Sequence, residues 1–219
     1  MKNIIFKLQF VLIFTGLLCI NVSADTFYVK DQHGKPVQNA VLEFTGFTKS
    51  AAIKNKTAVM DQINKRFVPD VLVVKANDRV NFPNSDNIRH HVYSFSEAKP
   101  FELKLYTGQP KEPLLFDKSG IVVLGCNIHD SMLGYIYVAK SDYALITDVN
   151  GMATIDKDLR YENVLVWHPD QTKGHLLINN IPKNKLHRTN DNIKNEYLIT
   201  LSIQPPEPRD TFKDYYDDQ

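Results

Sequence analysis

Short apolar or alternating runs separated by turn residues make up most of this chain, and they limit the folds that it can adopt. Clear runs cover residues 37–44, 121–126 and 134–138, and Gly, Pro, Asn or Asp stand between the runs. Such runs are typical of β-strands, because successive side chains of a strand point to opposite faces of the sheet. No stretch keeps a helical period over three turns. The sequence therefore predicts an all-β fold.

The N-terminal segment is typical of a signal peptide for export. Lys2 and Lys7 form a basic start, an apolar run covers residues 10–20, and small residues precede a cleavage point. A membrane helix needs about 20 apolar residues, so this run is short for a permanent anchor, which is the alternative. We expect this segment, residues 1–24, to be removed together with Cys19. The mature protein is then periplasmic and has no stable membrane insertion.

The charge and the cysteine content of the mature chain exclude some kinds of function and favour others. Removing the signal segment leaves 24 basic against 25 acidic side chains, a net charge of −1. Binding of nucleic acid requires a basic face, so we expect no nucleic-acid partner. Exported proteins normally pair their cysteines, and Cys126 has no second cysteine in the mature chain. Metal ligation is the interpretation we favour, and an inert, buried thiol is the alternative.

Cys126, His129 and Met132 bring a thiolate, an imidazole and a thioether into one short stretch of sequence. A second imidazole is available upstream, at His90 or His91. Two His and one Cys with a weakly bound axial Met form the ligand set of blue-copper electron-transfer sites. Sulfur ligands favour copper over magnesium or calcium, and a thioether argues against structural zinc, which takes Cys and His. The sequence therefore predicts one copper site.

The middle of the chain resembles a cupredoxin of the plastocyanin and amicyanin type. The resemblance begins at residues 67–84, continues through Arg-His-His-Val at 89–92, and ends with Gly120, the Cys-x-x-His-x-x-Met loop and Gly134. The chain is similar above all to the cupredoxin-domain proteins labelled methylamine utilization proteins. The resemblance implies a Greek-key β-sandwich or barrel that holds one type 1 copper ion. The implied ligands are His90, Cys126, His129 and Met132.

The choice between His90 and His91 stays open at the level of sequence. The family pattern puts the ligand two residues before Val92, at His90. His91 stands where the family usually has an Asn that braces the ligand loop, so His91 either replaces that brace or is itself the ligand. Only one of two successive strand side chains points inward, and we favour His90. Ile128 stands where the family often has a Pro, and we expect this difference to tune the site.

The flanks of this module resemble a second family. Residues 29–41 resemble the opening of the carboxypeptidase-regulatory-like β-sandwich, a small transthyretin-like domain, and residues 147–155 resemble its second hairpin. An inserted domain is tolerated where its ends lie close together, so we expect one sandwich interrupted by the cupredoxin module. The alternative is a pair of unrelated hairpins on one larger sandwich. The predicted units are a sandwich of 25–52 plus 143–203, a cupredoxin domain of 56–140 and a flexible tail of 204–219.

A copper site whose four protein ligands are all present has no open position for a substrate, unlike catalytic zinc. We therefore expect a carrier of single electrons and not an enzyme. Its expected partners are redox proteins such as a c-type cytochrome or a periplasmic dehydrogenase. We expect the electron to leave through the outer edge of His129, inside an apolar ring of Ile128, Leu133 and Pro83. The alternative for Ile128 and Leu133 is ordinary core packing. One alternative is a periplasmic protein that delivers or buffers copper without redox turnover, and another is a structural pair of sandwiches with a vestigial site.

Two further polar residues have predicted roles. Asn84 and Asp86 lie in the loop before His90, and we expect them to stiffen it through hydrogen bonds to nearby backbone. A second metal site at His168 and His175 is an alternative that we do not favour, because the sequence offers no third ligand near them.

Overall fold

The structure, a computed structural model, describes most of the chain. The predicted signal segment, apart from Ala24, and the predicted tail beyond Gln204 lie outside the described residues. The described part forms strands and one short 3-10 helix, Lys183–Lys185, so the all-β prediction is confirmed. No helix in this part is long and apolar enough to cross a membrane. The described residues are 24–46, 55–110, 112–156, 159–190, 192–193 and 195–204.

The strands are short, as expected for runs that turn residues interrupt. In chain order they are β1 (Ala24–Asp31), β2 (Val41–Thr45), β3 (Thr57–Val59), β4 (Asp61–Ile63), β5 (Arg66–Val68), β6 (Val71–Lys75), β7 (Asp78–Asn81), β8 (His90–Ser94), β9 (Phe101–Tyr106), β10 (Leu114–Phe116), β11 (Gly120–Gly125), β12 (Leu133–Ala139), β13 (Ala144–Ile146), β14 (Met152–Asp156), β15 (Asn163–Trp167), β16 (Asn179–Pro182), β17 (His187–Arg188) and β18 (Glu196–Leu201).

Strands from both ends of the chain pair with one another in two sheets. One sheet has the order β14-β1-β18-β17, and the other has the order β13-β2-β15-β16. β1 runs antiparallel to β14 and parallel to β18. Their apolar side chains form one hydrophobic core, in which Phe27 packs on Phe44 with ring centroids 5.2 Å apart. Strands that are far apart in sequence therefore share this core.

The strands from β3 to β12 surround a second core. The largest sheet has the order β6-β12-β11-β8-β9, and the smaller sheets are β10-β7-β3 and β4-β5. β11 and β12 are antiparallel neighbours, with Gly120 opposite Val138 and Gly125 opposite Leu133. The connection between them begins at Cys126 and lies at one end of this core.

A third buried cluster joins the two cores around Trp167. The ring of Trp167 is fully buried and lies 5.8 Å, centroid to centroid, from both Tyr135 and Tyr137 of β12. Tyr137 donates its hydroxyl to Oε2 of the buried Glu43 in β2 at 2.8 Å, and Trp167 donates Nε1–H to the carbonyl of His175 at 2.7 Å. The strand that follows the predicted ligand loop, β12, is therefore also held by β2 and β15, which belong to the first core.

Candidate metal centre

The loop between β11 and β12 carries three of the predicted ligands. Because Gly125 is paired with Leu133, the loop between them must turn back within seven residues, 126–132. The amide of Met132 donates to the carbonyl of His129 at 2.9 Å and closes this turn. The side chains of Cys126, His129 and Met132 therefore start from one compact turn at the end of the core.

His90 reaches this turn from a neighbouring strand. β8 begins at His90 and pairs with β11, where Tyr93 lies opposite Gly125. Nδ1 of His90 lies 3.2 Å from Nδ1 of His129, and Sγ of Cys126 lies 3.9 Å from the same His129 nitrogen. Among the described residues these three form the one group of His, Cys, Asp or Glu whose ligand atoms all lie within 4.8 Å of one another.

The distances in this group suit a shared metal ion. In zinc sites the bonds are about 2.0–2.1 Å to nitrogen and about 2.3 Å to sulfur. In tetrahedral or trigonal geometry, bonds of this length place two ligand atoms roughly 3.3–3.8 Å apart. The His90–His129 and Cys126–His129 separations lie close to this range. An imidazole pair with a thiolate is also the donor set that suits copper, so the chemistry of the side chains and their spacing agree.

The group is closed to water except at His129. His90 is fully buried, Cys126 and Met132 are 3% and 1% exposed, and His129 is partly exposed. Met132 belongs to the same hydrophobic core as Cys126. Burial, followed by the positive form of the neighbouring His90, lowers the pKa of His129. Neutral imidazole is the form that binds metal, so this environment favours ligation.

His91 points away from the group. Its Nε2 lies 2.9 Å from Oε1 of Glu102 on β9, and its buried Nδ1 has no hydrogen-bond partner among the described residues. His91 therefore makes neither of the contacts considered from the sequence: it is not in the cluster, and its ring does not hydrogen-bond to the ligand loop. This placement favours His90 as the ligand.

Asn84 and Asp86 make the backbone hydrogen bonds expected of them. Asn84 Nδ2 donates to the carbonyls of Ile88 and Tyr106, at 2.9 and 2.7 Å. Asp86 also accepts a hydrogen bond from Nε2 of His90 at 2.7 Å, a contact that sequence reasoning missed. Burial alone raises the pKa of Asp86, but hydrogen bonds from the amide of Lys65, from His90 and from a second amide lower it.

The predicted apolar ring around His129 is wrong in one member. Pro83 is buried, and its carbonyl accepts hydrogen bonds from the amide and Nε2 of Gln62, at 3.1 and 3.0 Å. Ile128 is 48% exposed, and Ile88, which the sequence did not single out, is 37% exposed. Ile128, which precedes His129 in the chain, is therefore the exposed member of the predicted ring, whereas Leu133 is partly buried and packs against the cluster around Trp167.

His168 makes two structural hydrogen bonds, which leave neither ring nitrogen free for the disfavoured second metal site. Both ring nitrogens of His168 are occupied, because Nε2 donates to the carbonyl of Gln38 and Nδ1 accepts from the amide of Asp170, both at 3.1 Å. The ring of His175 packs against Tyr135, with centroids 6.2 Å apart. The hydrogen bonds make His168 a neutral structural residue.

We expect the pH dependence of stability to report this buried His168. Burial lowers the pKa of His168 below its ordinary value, so the unfolded chain binds a proton near pH 6.5 that the folded chain does not bind. The contribution of the neutral His168 to stability is therefore lost as the pH falls below about 6.5, with a slope that approaches about 1.4 kcal/mol per pH unit for this one group. Urea unfolding of the wild type and of His168→Gln over this range measures the slope, which the substitution should flatten.

The exposed His33 provides the matched control. His33→Gln removes the same titrating group from a turn at the surface and should leave the slope unchanged. Identical slopes for His168→Gln and the wild type would contradict the prediction.

No family model and no curated protein matches the sequence. A copper-containing nitrite reductase from Thermus scotoductus SA-01 is 22% identical over 45% of this chain, with a TM-score of 0.37, and the match spans 25% of the reductase. A purple cupredoxin from Nitrosopumilus maritimus is 17% identical over 37% of this chain and 99% of its own, with a TM-score of 0.34. A reduced amicyanin variant is 21% identical over 46% of this chain and 99% of its own, with a TM-score of 0.33. Each of these matches covers less than half of this chain.

Proposed function

We propose that this chain is a blue copper protein that carries single electrons between redox partners. The observation that supports this most is the meeting of His90, Cys126 and His129 within 4.8 Å at a buried end of a β-sandwich. Met132 lies on the same turn and in the same core, which completes the donor set of a type 1 copper centre. Copper would supply the one-electron chemistry, and His90, Cys126, His129 and Met132 are the side chains that would hold it.

The burial of the ligands favours transfer of electrons over chemistry on a substrate. His90, Cys126 and Met132 are almost completely buried, and this burial disfavours the approach of a reacting molecule to an ion that they would hold. The ligands start from the ends of β8, β11 and β12, which belong to one sheet, so their positions are held by its hydrogen bonds. We therefore propose a carrier that is not an enzyme. Delivery or buffering of copper, the alternative, needs ligands that open to a recipient, which this burial disfavours.

His129 is the proposed point of electron exit, because it is the ligand that reaches the surface. The side chain of Ile128, the residue before His129 in the chain, is exposed and provides apolar surface there. Small, weak interfaces are typical of electron-transfer encounters. We propose a periplasmic redox protein, such as a c-type cytochrome or a dehydrogenase, as the partner that docks here.

Addition of copper(II) to the purified metal-free protein tests the proposal. We expect one ion per chain, an intense blue thiolate-to-copper absorption, and loss of the colour on reduction, because Cys126 ligates as the thiolate. Cys126→Ser should lose the band entirely. Asn127→Ser introduces the same residue at an exposed position of the same loop and should keep it. A colourless wild type, or colour in Cys126→Ser, would refute the copper assignment.

A second measurement separates the carrier from the delivery protein. A carrier should show fast, reversible electron exchange by voltammetry and should keep its copper(I) in the presence of a competing chelator. Rapid loss of copper(I) to the chelator without reversible voltammetry would favour delivery.

A further inference from the structure

We propose that Asp86 is a positioning residue that fixes His90 with Nδ1 toward the metal and lowers the reduction potential of the centre. This inference rests on the proposed function, since it concerns the same copper site. It adds a residue that lies outside the four ligands and acts through one of them.

The carboxylate of Asp86 is held from two sides. Oδ1 accepts from the amide of Asn64 at 2.6 Å, and Oδ2 accepts from the amide of Lys65 at 2.9 Å and from Nε2 of His90 at 2.7 Å. The side chain of Asp86 is 12% exposed and that of His90 is 0% exposed, so the pair is largely shielded from water. Hydrogen bonds to an ionised acceptor are about twice as strong as neutral ones, and burial limits screening.

A β-hairpin turn supplies the two amides. In the β4–β5 hairpin, Ile63 pairs with Arg66, which leaves Asn64 and Lys65 as a two-residue turn. Both have positive φ, 54° and 56°, as a type I′ turn requires. This geometry presents successive backbone N–H groups to Asp86. The carboxylate is therefore oriented by the backbone before any metal binds.

The contact determines which nitrogen of His90 faces the metal. A carboxylate accepts a proton and does not donate one, so it holds the hydrogen on Nε2 and leaves the lone pair on Nδ1. Nδ1 is the atom that lies 3.2 Å from Nδ1 of His129. A carboxylate behind a ligating imidazole also makes that ligand more basic. Copper(II) gains more from a stronger donor than copper(I) does, so the reduction potential falls.

Asp86→Asn and Asp61→Asn form a matched pair of variants. Asp61 lies at the start of the same hairpin, and its carboxylate accepts from Ser85 Oγ at 2.8 Å and from the amide of Gln62 at 2.7 Å. Ser85 adjoins Asp86 in the loop, but none of these contacts involves a ligand. Each substitution removes one negative charge from this end of the protein, and only Asp86→Asn weakens the hydrogen bond to His90.

The experiment compares the reduction potentials and the electron paramagnetic resonance spectra of the copper-loaded proteins. Loss of an outer carboxylate typically changes metal affinity 10–100-fold. A tenfold loss of preference for copper(II) corresponds to about 59 mV for one electron, so Asp86→Asn should raise the potential by about this amount or more. Asp61→Asn should shift it much less and leave the spectrum unchanged. Equal shifts in the two variants would overturn the inference while the blue colour leaves the copper assignment intact.

Nuclear magnetic resonance of the reduced wild type gives a second readout that does not depend on any variant folding. The Nε2–H proton of His90 should be visible and slow to exchange, and Nδ1 should carry the metal. Metal on Nε2, or a rapidly exchanging Nε2–H, would overturn the inference. A wild type that binds no copper would refute the proposed function and this inference together, so the failures are distinguishable.

Discussion

Replacing His90 with alanine is expected to abolish the blue absorption of the copper-loaded protein, whereas His91→Ala is expected to keep it. The reason is the direction of each ring: Nδ1 of His90 faces His129, and Nε2 of His91 bonds to Glu102 at the surface. A type 1 centre without one of its two imidazoles loses its trigonal donor set. Absorption and electron paramagnetic resonance spectra of both variants after loading with copper measure the effect.

The pair acts as its own control, because each variant removes one buried imidazole from the same strand. Circular dichroism of the metal-free proteins shows whether each variant is folded before copper is added. Colour in a folded His90→Ala together with a colourless, folded His91→Ala would reverse the assignment.

The three ligands on the loop could be predicted from the sequence because they lie close together in the chain. Cys126, His129 and Met132 follow one another at short spacing between two runs of strand character, so any antiparallel pairing of those runs brings them together. His90 was harder, because its approach depends on which strand pairs with β11. Only the family resemblance and the alternation of strand side chains favoured it over His91.

The contacts behind the ligands could not be predicted from local pattern. The hydrogen bond that His90 donates to Asp86 depends on a hairpin turn that is distant in sequence and that directs two amides at the carboxylate. The partner of His91, Glu102, comes from the next strand in the sheet. Pro83 was expected at the surface and is buried, because Gln62 satisfies its carbonyl inside the protein. Each of these outcomes depends on tertiary pairing that composition and periodicity do not encode.

The all-β pattern was readable from the runs themselves, but the junction of the two cores was not. Trp167 ends a short apolar run, residues 164–167, and nothing near it in the sequence distinguishes a residue of one core from a residue shared by two. In the structure Trp167 lies between β12 and the first core, in one buried cluster with Val41 of β2 and Ala139 of β12. Its role therefore becomes visible only once both sheets are in place.

Trp167→Ala is expected to lower the free energy of unfolding by about 3–5 kcal/mol, the usual cost of truncating a large buried aromatic residue. Trp167 is fully buried and packs on Tyr135 and Tyr137, and its Nε1–H bond to the carbonyl of His175 is lost as well. Urea unfolding measures the change. The transition must be followed by circular dichroism, because Trp167 is the only tryptophan and its fluorescence disappears with it.

Two further variants separate the contributions at this junction. Trp167→Phe keeps an aromatic ring but cannot donate to the carbonyl of His175, and leaving that acceptor unsatisfied should cost about 1–3 kcal/mol. Leu176 follows His175 in the chain, and its side chain is 65% exposed. Leu176→Ala should therefore change the free energy of unfolding by less than about 0.5 kcal/mol. If Trp167→Ala costs no more than Leu176→Ala, the junction contributes little to folding. In that case β12, and with it the end of the ligand loop, owes its position to its own sheet and not to the second sandwich.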